Sequence, residues 1–226
     1  MAIEIKQYRE YVDIKDHCTL KIGGQFRYFT VIGSIAEVQE AIAKAREYNK
    51  PLFVLGGGSN LVFSDIVHDV LAVKMEIKGF EIIDDTEDHT DIKVSAGEEW
   101  DPFVGKTVSM NLSGIEALSA IPGTVGATPV QNVGAYGTEV KDTIVSVEVF
   151  DREENRIINL GNEECYFSYR DSIFKQNGKG RYIILSVVFR LSKNPPRVPD
   201  YPGVKKYFEK KGIVSPQLRD IREAIT

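Results

Sequence analysis

The 226-residue sequence contains few of the residues that build disulfide frameworks and metal sites. Its 2 cysteines, Cys18 and Cys165, are far apart, which excludes a cysteine-rich scaffold and favours reduced thiols in a reducing compartment. Its 3 histidines, His17, His68 and His89, each lack a nearby cysteine or second histidine. We therefore predict that the chain has no metal site.

Long apolar runs and an excess of basic charge are also missing. No run approaches the roughly 18 apolar residues that a membrane-spanning helix needs, and residues 1–18 contain no apolar leader region. The net charge of −5 offers no attraction to a phosphate backbone. We expect a cytoplasmic monomer that acts on a small molecule and binds neither membrane nor nucleic acid.

Strand and helix signals alternate at first and then give way mostly to strand signals. A capping box of Ser34 and Glu37 marks the start of the first helix. This pattern predicts an α+β fold with a β-α-β-β subdomain and a second subdomain of antiparallel sheet with helices. The predicted elements are strands at 26–32, 52–55, 61–64, 70–75 and 180–191, helices at 34–49 and 98–112, and hairpins at 79–97 and 143–160.

The residues after 191 have a different composition. Four prolines fall within residues 192–203, which is typical of a connector. We expect subdomains at 1–75 and 76–191, with 192–226 as the start of a further domain. A last helix is predicted with Ser215 as its N-cap and Pro216 at its first position. Its apolar face, which includes Ile221, has no evident partner, which suggests a C-terminally truncated protein.

Two glycine-rich segments are candidates for ligand binding. Successive N–H groups of "GGGSN" (56–60) suit a phosphate, although the segment also fits a plain hairpin turn. The segment "IPGTVGATPVQNVGAYG" (121–137) has no charge, and its uncharged donors suit a flat heteroaromatic ring. Its alternative is a hinge between lobes. A third segment, "YRDSIFK" (169–175), contains Arg170, which either binds an anion or forms a surface ion pair with Asp171.

Taken together, "LGGGSNLVFSD", "GIEALSAIPGTVGATPVQNVGAYGTEVKD" and "CYFSYRDSIFK" resemble the bacterial UDP-N-acetylenolpyruvoylglucosamine reductases. The resemblance covers about residues 17–191. It implies a two-subdomain FAD-binding fold of the vanillyl-alcohol oxidase type. It also implies the NADPH-dependent reduction of UDP-GlcNAc-enolpyruvate to UDP-N-acetylmuramate through FAD, a step of peptidoglycan precursor synthesis. Two alternatives are another FAD-dependent oxidoreductase of this fold, and a truncated flavin-binding module without turnover.

The resemblance also implies a set of site residues. Arg170 would be catalytic and would face the substrate carboxylate, with Tyr169 beside it and Tyr201 covering the substrate, as in the longer, type I branch of the family. Cys18 occupies a usual asparagine position, and no segment after residue 201 matches the family's Ser or Cys proton donor. The residues implied to bind FAD are Gly56, Gly57, Gly58, Ser59, Asn60, Ile121, Pro122, Gly123, Thr124, Gly126, Gln131, Asn132, Gly134, Ala135, Tyr136 and Gly137.

Overall fold

The computed structural model describes residues 8–226, and the chain divides into two compact units at Lys78 and Gly79. No helix among these residues combines the length and the apolar character that crossing a bilayer requires. Residues 192–226 fall within the second unit. That they begin a further domain stays a prediction.

Within the described residues, the first unit is a four-stranded sheet in the order β1-β2-β4-β3 with one α-helix and one short 3-10 turn at Ile14–Asp16. The predicted helix is confirmed: Ser34 Oγ accepts from the Glu37 N–H at 3.3 Å, and the Glu37 carboxylate accepts from the Ser34 N–H at 3.2 Å. β1 pairs antiparallel with β2, whereas β4 runs parallel to both β2 and β3. The elements are β1 (Arg9–Asp13), β2 (Gln25–Ile32), α1 (Ile35–Glu47), β3 (Leu52–Leu55) and β4 (Val67–Met75).

The predicted strand at 61–64 is wrong, because these residues carry the chain back along the sheet. A strand that runs parallel to β3 must start at the same end of the sheet as β3, so a tight hairpin cannot connect the two. The returning segment lies close to Gly24, whose N–H donates to the Ser64 carbonyl at 2.9 Å. Leu61 and Phe63 instead pack on the core, with the Phe63 ring 5.4 Å from the ring of Phe26, whereas Val62 between them is exposed.

The second unit is built on an antiparallel sheet in the order β10-β9-β11-β6-β5. The two predicted hairpins, the helix and the long strand are confirmed. Trp100 and Phe103 of the helix pack against Phe189 of the long strand, which covers one face of the sheet. The elements are β5 (Phe80–Asp85), β6 (His89–Ser95), α2 (Trp100–Ser109), β7 (Gly134–Ala135), β8 (Thr138–Glu139), β9 (Ile144–Asp151), β10 (Arg156–Gly161) and β11 (Tyr182–Ser192).

Two helices end the chain, α3 (Pro202–Lys211) and α4 (Leu218–Ile225). The predicted start of the last helix at Ser215 and Pro216 is wrong. Gln217 is the N-cap, and its N–H donates to the Asp220 carboxylate at 2.8 Å. The apolar face is not without a partner either: Ile221 is fully buried against α3. The sequence pattern predicts no helix at 202–211, and α3 is the element that covers this face.

Candidate functional site

The glycine loop at 56–60 follows β3 and lies directly against the turn that contains His17 and Cys18. Gly58 has a φ of +65°, which favours glycine. A Cβ on Gly58 would lie 2.5 Å from the His17 carbonyl oxygen and 2.7 Å from the Cys18 Cα, so no side chain fits. The Gly58 carbonyl also accepts from the Thr19 N–H at 3.3 Å. The loop is therefore held by backbone contacts on one side.

Three successive backbone donors of this loop have no acceptor among the described residues. Within residues 8–226, the N–H groups of Gly57, Gly58 and Ser59 form no hydrogen bond. Consecutive free N–H groups in a glycine turn form an anion-binding concavity. The plain hairpin alternative is excluded, because the strand after the loop runs parallel to the strand before it. The loop therefore fits a phosphate or pyrophosphate group.

The uncharged segment at 121–137 lies inside the second unit, so it is not a hinge between the two units. Its first part runs beside residues 96–100. The backbone N–H of Trp100 donates to the Gly123 carbonyl at 3.0 Å, and the backbone N–H of Gly126 donates to the Ala96 carbonyl at 2.9 Å. The N–H groups of Gly123 and Thr124 find no acceptor among the described residues. The segment is thus fixed to the protein while two of its donors stay available.

The second part of the segment ends in a tight hairpin between β7 and β8. Tyr136 and Gly137 have φ values of +53° and +79°, which is the pattern of a type I′ turn. This turn brings the Tyr136 ring edge-to-face against Tyr201, with centroids 5.1 Å apart. Tyr136, which is predicted to contact FAD, and Tyr201, which is predicted to cover the substrate, therefore lie side by side.

Tyr136 and Tyr201 line an open cleft of about 470 Å³ in the second unit. Five of the eight residues that line the cleft are predicted ligand contacts, and the other three are not. Ser119, Ala120 and Ile225 lacked any local signal, because each is an ordinary residue in a turn or at a helix end. The cleft is lined by Ser119, Ala120, Ile121, Pro122, Ala135, Tyr136, Tyr201 and Ile225. Most of these lining side chains are apolar or aromatic, which fits a flat ring system.

Asn132 is fully buried, and its side-chain amide already has partners within the protein. Its Nδ2 donates to the Ser168 carbonyl at 3.0 Å, and its Oδ1 accepts from the Lys141 N–H at 3.2 Å. The same region is tied once more by Ser172 Oγ, which donates to the Val130 carbonyl at 2.7 Å. Asn132 thus holds the turn that follows Ser168.

That turn carries Tyr169 and Arg170 at its tip. Ser168 and Asp171 exchange two backbone hydrogen bonds at 3.1 and 3.2 Å, and Arg170 has a φ of +55°. The Asp171 carboxylate accepts from Gln176 Nε2 at 2.7 Å, and the Arg170 guanidinium is exposed without an ion pair inside residues 8–226. The proposed surface pair with Asp171 is therefore wrong. The cation is available to an anion from outside the protein.

Residues 27–161 match the sequence profile of a protein family described as FAD binding domain. The chain belongs to this family.

This chain is also similar to two proteins that are named as reductases. It is 40% identical over 220 residues to UDP-N-acetylenolpyruvoylglucosamine reductase of Pseudomonas aeruginosa, which covers 95% of this chain and 64% of that protein. The crystal structure of the Thermus caldophilus reductase matches with a TM-score of 0.71 at 25% identity, over 96% of this chain and 68% of that one. The resemblance found from the motifs is confirmed. The chain spans about two thirds of these relatives' length.

A more distant likeness concerns the fold alone. A VAO-type flavoprotein from Myceliophthora thermophila matches with a TM-score of 0.55 at 18% identity, over 76% of this chain and 33% of that one. The predicted α+β fold of the vanillyl-alcohol oxidase type is therefore confirmed.

The three histidines of the chain lie in three separate places. His17 stacks on Phe29 with ring centroids 4.2 Å apart, and its pKa is lowered mainly by burial. His89 lies near Asp84 and Asp91, and the three ligand atoms are within 4.8 Å of one another. However, Arg190 binds Asp91 through two hydrogen bonds of 2.8 and 2.7 Å. That positive charge opposes a second cation at the same carboxylate.

Proposed function

We propose that this chain binds FAD and takes part in the NADPH-dependent reduction of UDP-GlcNAc-enolpyruvate to UDP-N-acetylmuramate. The observation that carries the proposal is the row of N–H groups at Gly57, Gly58 and Ser59 that have no acceptor within residues 8–226. The loop is packed so tightly at Gly58 that no side chain would fit there. A dinucleotide cofactor requires such a cradle for its pyrophosphate. The similarity to named reductases supports the choice of cofactor and substrate.

In the first unit, the glycine loop at 56–60 would bind the pyrophosphate. Each free N–H would donate one charge-assisted hydrogen bond, which is stronger than a bond between neutral groups. Because Gly58 is fixed against the His17 carbonyl, the donors are oriented before the cofactor arrives. Preorganisation of this kind reduces the entropy that binding costs.

In the second unit, the cleft beside Tyr136 would hold the isoalloxazine ring. Ile121, Pro122 and Ala135 provide apolar surface, and the free N–H groups of Gly123 and Thr124 offer donors nearby in the chain. When bound, FAD would supply the hydride chemistry that links NADPH to the substrate. The protein's own part is to bind the ring and to limit its contact with water.

Arg170 would bind the carboxylate of the enolpyruvyl group. Its guanidinium is exposed and unpaired within the described chain, and it sits on a turn braced by Asn132. Negative charge grows towards this carboxylate when the double bond is reduced, so the interaction strengthens in the transition state. Tyr169 beside it is 81% exposed and could pack on the substrate.

We further propose that the protein works as a monomer in the cytoplasm. Cys18 and Cys165 are both free and buried, and burial raises the pKa of Cys165 to about 12. An inert, protonated thiol of this kind fits a structural role in a reducing compartment.

Purified chain titrated with FAD is expected to quench flavin fluorescence to saturation at a 1:1 ratio, and NADPH is expected to bleach the visible flavin bands. FMN, which lacks the pyrophosphate, should bind at least about tenfold more weakly, because the donors of the glycine loop would lose their partner. A chain that fails to take up FAD would contradict the proposal. FAD uptake without reduction by NADPH would favour a flavin-binding module instead.

Arg170→Ala is expected to weaken binding of UDP-GlcNAc-enolpyruvate to the FAD-loaded chain by about 10- to 100-fold. Loss of hydrogen bonds to a charged group costs roughly 1.5–3 kcal/mol, and 1.4 kcal/mol corresponds to a factor of ten. The flavin absorption change on titration measures this affinity. FAD affinity should stay the same, because the guanidinium forms no hydrogen bond or salt bridge within residues 8–226.

Arg46→Ala is the matched control for Arg170→Ala, since Arg46 is an exposed arginine of α1 in the first unit. It removes the same charge and should leave substrate affinity unchanged. Equal losses in both variants would mean that only net charge matters. Failure of a sugar nucleotide to bind the unmodified, FAD-loaded chain would favour another oxidoreductase of this fold.

A further inference from the structure

One carboxylate, that of Asp101, connects three parts of the second unit. Asp101 lies in the first turn of α2. Its Oδ1 accepts from the Ala120 N–H at 2.7 Å, and Arg222 of α4 donates to Oδ1 and Oδ2 at 2.6 and 2.8 Å. A helix start, a turn and the last helix of the chain therefore meet at a single side chain.

Two of these parts line the cleft. Ala120 is itself a lining residue and has a φ of +61°, a left-handed conformation that costs a non-glycine residue about 1 kcal/mol or more. The hydrogen bond to Asp101 holds the turn in that conformation. On α4, Ile225 lines the cleft three residues after Arg222, so both lie on the same face of the helix. The walls at Ala120 and Ile225 are thus joined through Asp101.

The Arg222 guanidinium lies directly on the surface of α2. A Cβ built on Gly105 would lie 3.4 Å from Arg222 Nη2, which is an ordinary van der Waals contact. The two side chains are partly buried, with exposed fractions of 23% for Arg222 and 35% for Asp101. The pKa of Asp101 is lowered, chiefly by Arg222, despite the opposing effect of burial. The bidentate pair is therefore better defined than an ordinary surface ion pair.

We propose that Asp101 and Arg222 are positioning residues that hold the two walls of the cleft at the spacing its ligand requires. The assignment of the flavin ring as that ligand rests on the proposed function, whereas the coupling of the two walls does not. If the pair only stabilised the fold, its removal would lower the unfolding free energy but would not specifically speed hydrogen exchange at the Ala120 amide.

The test uses Arg222→Gln in the whole 226-residue chain, with Arg190→Gln as the control. Arg190 also forms a bidentate pair in this unit, through Nε and Nη2 to the Asp91 carboxylate, and neither residue lines the cleft. Hydrogen exchange of the FAD-free chain is expected to be at least about tenfold faster at the Ala120 amide in Arg222→Gln and unchanged there in the control. Arg222→Lys, which keeps the charge, should restore part of the protection.

In the FAD-loaded chain, Arg222→Gln is expected to shift the visible flavin bands and the flavin reduction potential, whereas Arg190→Gln is expected to leave both unchanged. Unchanged exchange at Ala120 would overturn the coupling. Faster exchange with an unaltered flavin spectrum and potential would overturn its relevance to the ring. If the unmodified chain takes up no FAD, the proposed function fails, and the exchange experiment still decides whether the pair holds the wall.

Discussion

Replacing Gly58 by alanine is expected to lower the affinity of the chain for FAD by at least about 100-fold. The new Cβ would lie 2.5 Å from the His17 carbonyl oxygen and 2.7 Å from the Cys18 Cα, and both are backbone atoms that cannot rotate away. The loop must therefore move, and the N–H groups of Gly57 to Ser59 move with it. Losing two hydrogen bonds to a charged pyrophosphate, at roughly 1.5–3 kcal/mol each, gives an effect of this size.

Gly180→Ala is the matched control for Gly58→Ala. Gly180 also has a positive φ, +80°, but its Cβ would have no heavy atom within 4 Å. Both variants therefore pay the conformational cost of alanine in the left-handed region, about 1–2 kcal/mol, and only Gly58→Ala adds the collision. Fluorescence titration with FAD and thermal unfolding of both variants separate the two contributions. FAD affinity of Gly58→Ala within threefold of the unmodified chain would contradict the cradle.

Local sequence signals predicted most of the elements correctly. The capping box at Ser34 and Glu37 identified the start of α1, because it uses only residues three apart. The alternating runs on either side of polar tips predicted both hairpins. The run at 61–64 failed, because an apolar pattern predicts burial and does not distinguish a strand from a crossing segment. The parallel pairing of β3 with β4, which the pattern does not encode, made the difference.

The parts of the candidate site that are contiguous in sequence were predicted. The parts that only the folded chain brings together were not. The glycine loop and the 121–137 segment were recognisable as motifs. In contrast, Asp101 and Arg222 are 121 residues apart, and neither stands in an unusual local sequence. Asn132 shows a related limit: its polarity suggested a ligand contact, whereas its amide binds Ser168 and Lys141. Composition predicts which groups can donate and not which partner they choose.

Gly126→Ala is expected to lower the unfolding free energy of the second unit by about 3 kcal/mol. The added Cβ would lie 2.5 Å from the Ala96 Cβ and 3.1 Å from the Ala96 carbonyl oxygen. Neither side can yield easily, because the Gly126 N–H donates to the Ala96 carbonyl, and the Ala96 N–H donates to the Leu185 carbonyl at 2.8 Å. Overpacking of a buried contact costs roughly 1–3 kcal/mol. Urea unfolding followed by the fluorescence of Trp100, the one tryptophan of the chain, reports on this unit.

A double-mutant cycle with Ala96→Gly identifies the cause of this loss. Ala96→Gly alone is expected to cost about 1 kcal/mol through backbone entropy. In the double variant it removes the closest contact, the one with the Ala96 Cβ, so we expect it to recover more than half of the loss caused by Gly126→Ala. The interaction energy should then be about 1.5–3 kcal/mol. Strictly additive losses would instead mean that Gly126 is required for its own conformation. Coupling would mean that Gly126 allows the segment to pack against residue 96, in an arrangement where the N–H groups of Gly123 and Thr124 have no acceptor among the described residues.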